Sequence, residues 1–172
     1  MEIAGTKGEE YLLGRGFTKE IITEMGIEYD AETESIVIPY KGKNYAISRS
    51  IKEKMYRKPK GIEEPLYEVG ESQSRLIYVV EGQLDAISLK QAGAEYAVAT
   101  GGSGISKVTT TLEEQEVVSQ VRRAVIVADN DEAGIRTATK LESELKRSGF
   151  SVLMAELPSE FKDANEVLQK DE

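Results

Sequence analysis

Apolar positions follow two regimes along this chain, and the change comes near Arg75. Beyond that point, unbroken apolar runs alternate with amphipathic stretches. The runs "LIYVV", "EYAVAT", "RAVIVA" and "SVLMAEL" are short and rich in β-branched residues, which predicts strands. Helical spacing appears between them, near Leu84–Ala92, Lys107–Val121 and Glu132–Arg147, and again near Ala164–Gln169. In the third of these stretches Gly134, Ala138, Leu141 and Leu145 share one face. Strands that are apolar throughout, alternating with helices, predict a parallel sheet covered on both faces.

The earlier part reads differently. "EEYLLGRGFTKEIITEMGI" predicts two short helices broken at Gly14 and Gly16, with Thr18 as the second N-cap. "SIVIPY" and "KNYAISRSI", separated by Lys-Gly-Lys, predict a β-hairpin. The polar stretch Lys52–Ser74, with Pro59, Gly61, Pro65 and Gly70, predicts irregular structure. The expected architecture is α/β: a small α+β subdomain over residues 1–70, then a doubly wound domain over residues 71–172.

This pattern places acids at strand ends. Glu81 closes "LIYVV", Asp129 and Asp131 close "RAVIVA", and Asp163 follows "SVLMAEL" after a short loop. Ligands of open α/β sheets bind beyond the carboxyl ends of the strands, so parallel strands would gather all four acids at one edge. Gathered carboxylates repel one another unless a cation neutralises them. An oxygen-only ligand set suits Mg²⁺, Mn²⁺ or Ca²⁺. Gly82 and Gly134 follow the acids where a side chain would crowd a ligand or a tight turn. Each acid alone also fits an ordinary turn or helix cap: Asp131 as an N-cap, Asp85 as a first-turn acid favoured by the helix dipole. It is their joint placement that points to a metal.

Composition narrows the chemistry. The 172 residues include no Cys and no His, which excludes disulfides, thiolate nucleophiles, Cys/His zinc sites and histidine proton shuttles. No apolar run approaches the ~20 residues of a membrane span, and no signal-peptide pattern opens the chain. A cytoplasmic protein with no membrane partner is expected. Net charge is -9, yet Lys41–Lys60 holds eight Lys and Arg against one acid, Glu53. Such a segment is either a local polyanion site or a solvated hairpin surface. "ATGGSGIS" (Ala99–Ser106) suits a phosphate cradle and a plain strand-to-helix turn equally. "DNDEAG" is no calcium loop, since the fifth and twelfth positions from Asp129 are Ala133 and Lys140. A haloacid-dehalogenase-type phosphatase expects Thr or Val where Ala133 stands, and an earlier place for the pair.

From Arg75 onward the motifs resemble a Toprim domain, the catalytic module of bacterial-type primases, type IA and II topoisomerases and some nucleases. "VVEGQLDAISL" resembles its Glu-Gly motif in the primase form, with Asp85 three residues after the Gly. "VIVADNDEAG" resembles its Asp-x-Asp-x-x-Gly motif, and "KDANEVL" (Lys162–Leu168) the third acidic motif of phage-type primases. Upstream, "YLLGRGFTKEII" is similar to the start of the primase RNA-polymerase core. "IPYKGKNYAISRSI" and "YRKPKG" resemble the basic subdomain before Toprim. The resemblance implies catalysis by Glu81, Asp129 and Asp131, and Mg²⁺ or Mn²⁺ held by these three and Asp163. It leaves auxiliary roles to Asp85 and Asn165. It gives Arg49, Lys58 and Lys60 contacts to template backbone or nucleotide phosphates. It implies single-stranded DNA and NTPs as partners, with a replicative helicase or further domains of a longer chain. A phage or mobile-element primase core, either cut from a longer protein or a minimal stand-alone relative, is the expectation.

The chain departs from the family in having no Cys or His for a zinc module and no G-x-x-x-x-G-K-[ST] motor loop. Two rivals remain at this stage. A Toprim nuclease usually carries Glu near the Asp85 position and lacks the basic subdomain. A non-catalytic binding module would keep the fold without turnover.

Overall fold

The computed structural model describes residues 2–101, 104–115 and 122–170. The chain forms two compact units. One runs to Glu64 and takes in the chain from Leu168 onward; the other is Pro65–Val167.

The first unit opens with helices α1 (Lys7–Leu13) and α2 (Lys19–Glu24). Thr6 caps the first by accepting from the Glu9 N–H, and Thr18 caps the second by accepting from the Ile21 N–H. Four antiparallel strands follow in sequence order: β1 (Glu28–Asp30), β2 (Ser35–Pro39), β3 (Ala46–Ser50) and β4 (Tyr56–Arg57). β2 and β3 are the expected hairpin, in register from Ser35 opposite Ser50 to Pro39 opposite Ala46. Leu12, Ile22, Ile36, Ile38 and Ile47 are fully buried. Gly8 allows the Tyr29 ring against α1, because a Cβ there would lie 2.6 Å from the ring.

The second unit is a five-stranded sheet in the order β5-β7-β6-β8-β9: β5 (Tyr67–Gly70), β6 (Leu76–Val80), β7 (Tyr96–Ala99), β8 (Arg123–Val127) and β9 (Ser151–Ala155). β6 to β9 are mutually parallel, and β5 pairs antiparallel with β7 at one edge. The helices are α3 (Gln83–Gln91), α4 (Ile105–Glu114), α5 (Glu132–Arg147) and α6 (Ala164–Lys170). After β6 the chain builds β7 on one side; it then crosses back and builds β8 and β9 on the other. The topological switch therefore lies at the carboxyl end of β6, where Glu81 stands.

One sheet face buries Ile77, Val79, Val98, Ala124 and Ile126 against Val108 and Leu112 of α4 and Ala138, Leu141 and Leu145 of α5. α3 packs on β5, β6 and β7. The expected cover on both faces thins out at β9, where Leu153 is 59% exposed and Met154 40%.

The stretch expected to be irregular, Lys52–Ser74, contains β4 and β5. β5 closes on Gly70 at φ 91°, and a Cβ there would collide with the Glu95 carbonyl oxygen. Gly102 and Ser103 of the glycine-rich turn, and residues 116–121 at the end of the helix expected near Lys107–Val121, lie outside the described residues. Among the described residues no helix is long and apolar enough to cross a membrane.

Candidate metal centre

Parallel pairing brings the strand-end acids to one edge of the second unit. Glu81 follows β6 directly, and its carbonyl accepts from the Gly101 N–H at 2.8 Å. Asp129 stands two residues beyond β8, half-buried. Burial pushes its carboxyl up to about 6, and the neighbouring charges of Glu81, Asp163 and Asp131 add to that rise. Glu81 and Asp129 share the rim of a cavity of about 20 Å³ with Thr100 and Gly134, enough for roughly one water.

The other two acids serve the fold as well. Asp131 is the N-cap of α5: its Oδ1 accepts from the Gly134 N–H at 2.8 Å. That hydrogen bond is the main reason its carboxyl sits below the usual range, with the Lys162 charge contributing. Asp163 Oδ1 accepts from the Glu166 N–H at 2.9 Å in the first turn of α6, and Glu166 Oε2 accepts from the Lys162 N–H at 2.7 Å. In each case one carboxylate oxygen satisfies a helix terminus. Both caps also point the positive end of a helix at the acids.

Asp85 and Asn165 meet inside the unit, away from solvent. Asp85 Oδ1 accepts from the Asn165 N–H at 3.0 Å, and Asn165 Nδ2 donates to Ser88 Oγ at 3.0 Å. Asn165 is 1% exposed. The pair therefore ties α3 to the start of α6 and sets where Asp163 emerges. Gly82 makes room for this tie, since a Cβ there would lie 2.5 Å from Asp85 Oδ2.

Two further residues act here that strand-end logic does not reach. Asn130, between the paired acids, holds the loop that carries Asp163. Its backbone N–H donates to the Lys162 carbonyl at 2.7 Å, and Nδ2 donates to the carbonyls of Phe161 at 2.8 Å and Pro158 at 3.2 Å. Lys162 Nζ lies 3.7 Å from Asp131 Oδ2. The only sequence signal for either is the residue type, a carboxamide between two acids and a cation beside an acid. Asn130→Ala is expected to cost about 1–2 kcal/mol for the lost side-chain bonds. It should also weaken Mn²⁺ binding, because Asp163 is then less well placed. Thermal melts and Mn²⁺ titration check both, and unchanged Mn²⁺ affinity would dismiss the latch.

Among the described residues no three acids converge closely enough to form a ready-made cage. The donor set is nevertheless all oxygen, and the Asp129 carboxyl bears the repulsion of its neighbours. Those properties fit a hard divalent ion that keeps several waters.

The basic candidates belong to the first unit. Arg49 is 7% exposed; its guanidinium lies over the rings of Tyr11 and Tyr56, and Nε donates to the Tyr56 hydroxyl at 3.0 Å. Lys58 Nζ pairs at 2.5 Å with the buried Glu64, which also accepts from the Tyr40 hydroxyl. Lys60 is exposed.

A model of the Toprim-like family matches residues 78–168. An uncharacterised protein of Mycoplasma pneumoniae is 32% identical over 97 residues, which are 56% of this chain and 44% of that protein. A DNA primase of Thermotoga maritima is 31% identical over 93 residues, 54% of this chain and 16% of the primase. The chain thus spans less than half the length of these relatives. The Aquifex aeolicus primase structure, comprising zinc-binding and RNA polymerase domains, superposes with a TM-score of 0.76 at 19% identity. That match covers 98% of this chain and 53% of the other, and it shows the fold. The family model takes in more than half of the chain, from Tyr78 in β6 to Leu168 in α6, so the protein belongs to the Toprim-like family, and its Toprim domain is of the DnaG-like primase kind.

Proposed function

We propose that this chain is the catalytic core of a DNA primase, a nucleotidyltransferase that makes short RNA primers from NTPs on single-stranded DNA. The observation that supports the reading is the gathering of Glu81, Asp129, Asp131 and Asp163 at the carboxyl edge of a parallel sheet, around its switch point. Glu81, Asp129, Asp131 and Asp163 would hold Mg²⁺ or Mn²⁺. Such an ion supplies Lewis-acid stabilisation of the charge that builds up on a transferring phosphoryl group.

The residues divide the remaining work. Asp131 and Asp163 would each keep one oxygen on a helix N–H and offer the other to the ion. Glu81 and Asp129 supply charge directly from the strand ends. Arg49, Lys58 and Lys60 are proposed to contact template or nucleotide phosphates, which would make binding salt-dependent. Lys60 is exposed, whereas Arg49 is buried. Arg49, held under two tyrosines, would present a fixed rather than a mobile charge. A replicative helicase or further domains of a longer chain would complete the machine. Action in the cytoplasm of a bacterium, or in phage or mobile-element replication, is part of the same proposal.

The test is incorporation of labelled NTPs on single-stranded DNA with Mg²⁺ or Mn²⁺. Glu81→Gln is expected to lower it at least about a hundredfold, the scale of losing one transition-state charge contact. Full activity in that variant would remove the proposed site. Nicking of plasmid DNA without incorporation would favour a nuclease, and binding without metal-dependent turnover a non-catalytic module.

A further inference from the structure

We propose that Lys162 is a resident counter-cation of the acidic site, which a divalent ion displaces and which then contacts the triphosphate of the incoming nucleotide. The inference rests on the metal-site reading above. Its basis is how residue 162 is held. Its backbone is clamped from both sides: the carbonyl accepts from the Asn130 N–H at 2.7 Å, and the N–H donates to Glu166 Oε2 at 2.7 Å. The side chain is not clamped. It is 45% exposed, and its ammonium stands 3.7 Å from Asp131 Oδ2, within ion-pair range but beyond a hydrogen bond. A fixed root with an exposed, compact charge on a four-carbon stem suits a cation that must change partners.

The charges around it set the direction of that change. Asp129, Asp131 and Asp163 all attract the ammonium. A divalent ion among the same acids neutralises them and repels Lys162. The nearest negative charge is then whatever anion the ion carries, and lysine binds phosphate as a point charge.

The proposal requires effects of opposite sign from one substitution. Lys162→Met removes a competitor of the metal, so Mn²⁺ alone should bind tighter, by roughly threefold to fivefold for one exposed charge contact. With Mn²⁺ saturating, inorganic tripolyphosphate should bind more weakly by roughly the same factor. Lys162→Arg should return both values close to those of the unaltered chain. Mn²⁺ binding is read by electron paramagnetic resonance, and tripolyphosphate binding by calorimetry, on the full chain at one ionic strength. Tripolyphosphate affinity unchanged in Lys162→Met overturns the proposal, as does Mn²⁺ affinity that is unchanged or lower. In those cases the metal site itself still stands. Failure of the unaltered chain to bind Mn²⁺ overturns the site and this inference together.

Discussion

Asp129→Asn is expected to make the protein more stable at neutral pH while removing its metal-dependent chemistry. The folded carboxyl titrates at about 6, against 3.8 for the ordinary group. Between those values the folded state holds a proton that the unfolded chain has already released. Stability therefore falls as pH rises from about 4 to about 6, and above that the full penalty is present. A two-unit shift corresponds to about 3 kcal/mol. The carboxyl is only half-buried, and solvent screening brings the expected gain down to about 1 kcal/mol. The asparagine variant should melt higher than the parent at pH 7 to 8, and the difference should vanish toward pH 4. Mn²⁺ should raise the melting temperature of the parent and not of the variant, since only a state that binds the ion is stabilised by it. Primer synthesis should drop at least about a hundredfold. A melting difference that is flat with pH would mean that ionised Asp129 is not strained by its surroundings.

Gly134→Ala is expected to damage both fold and site. Two effects oppose each other. Alanine within a helix is worth up to about 1 kcal/mol over glycine. A Cβ at this position, however, would lie 2.5 Å from the Asp129 carbonyl oxygen and 3.0 Å from the Asp129 Cβ. The obstruction is mainly backbone and cannot rotate away. Overpacking of this kind costs about 1–3 kcal/mol, so the clash wins. The first turn of α5 must shift away from the end of β8, disturbing the Gly134 N–H bond to Asp131 and the position of Asp129 together. A lower melting temperature and roughly tenfold weaker Mn²⁺ binding are expected, by analogy with the loss of an outer-shell metal support. A rise in melting temperature would show that helix propensity dominates and that the turn has slack.

What could be read from sequence was what repeats locally. α5 spans Glu132–Arg147 as its stripe of Gly134, Ala138, Leu141 and Leu145 predicted, and all four are buried. Thr18 caps α2 as its hydroxyl before an apolar repeat suggested. β6 and β8 were legible because buried parallel strands are apolar throughout. β1 and β4 were not, since three and two residues leave no periodicity to detect. β5 was missed for a different reason. Its pairing places Tyr67 opposite Ala99, far along the chain, and nothing near Tyr67 announces the partner. The candidate site divides in the same way. Acids at strand ends could be located from the strands alone. The Asn130 latch, the burial of Asn165 against Asp85 and the tyrosine cover on Arg49 are tertiary contacts, invisible to local pattern.

The caps on α5 and α6 bear on how this lineage could decay. Asp131 and Asp163 each answer to two selective pressures, helix integrity and metal chemistry. A descendant that abandoned catalysis would still keep both, or drift only as far as asparagine, which caps a helix as well as aspartate does. Glu81 does not cap the helix that follows it: the N-cap of α3 is Gly82, and no side chain caps that helix. Among relatives of this chain, Glu81 and Asp129 are therefore the acids that relaxed selection would erode first, while Asp131 and Asp163 would outlast the activity they once served.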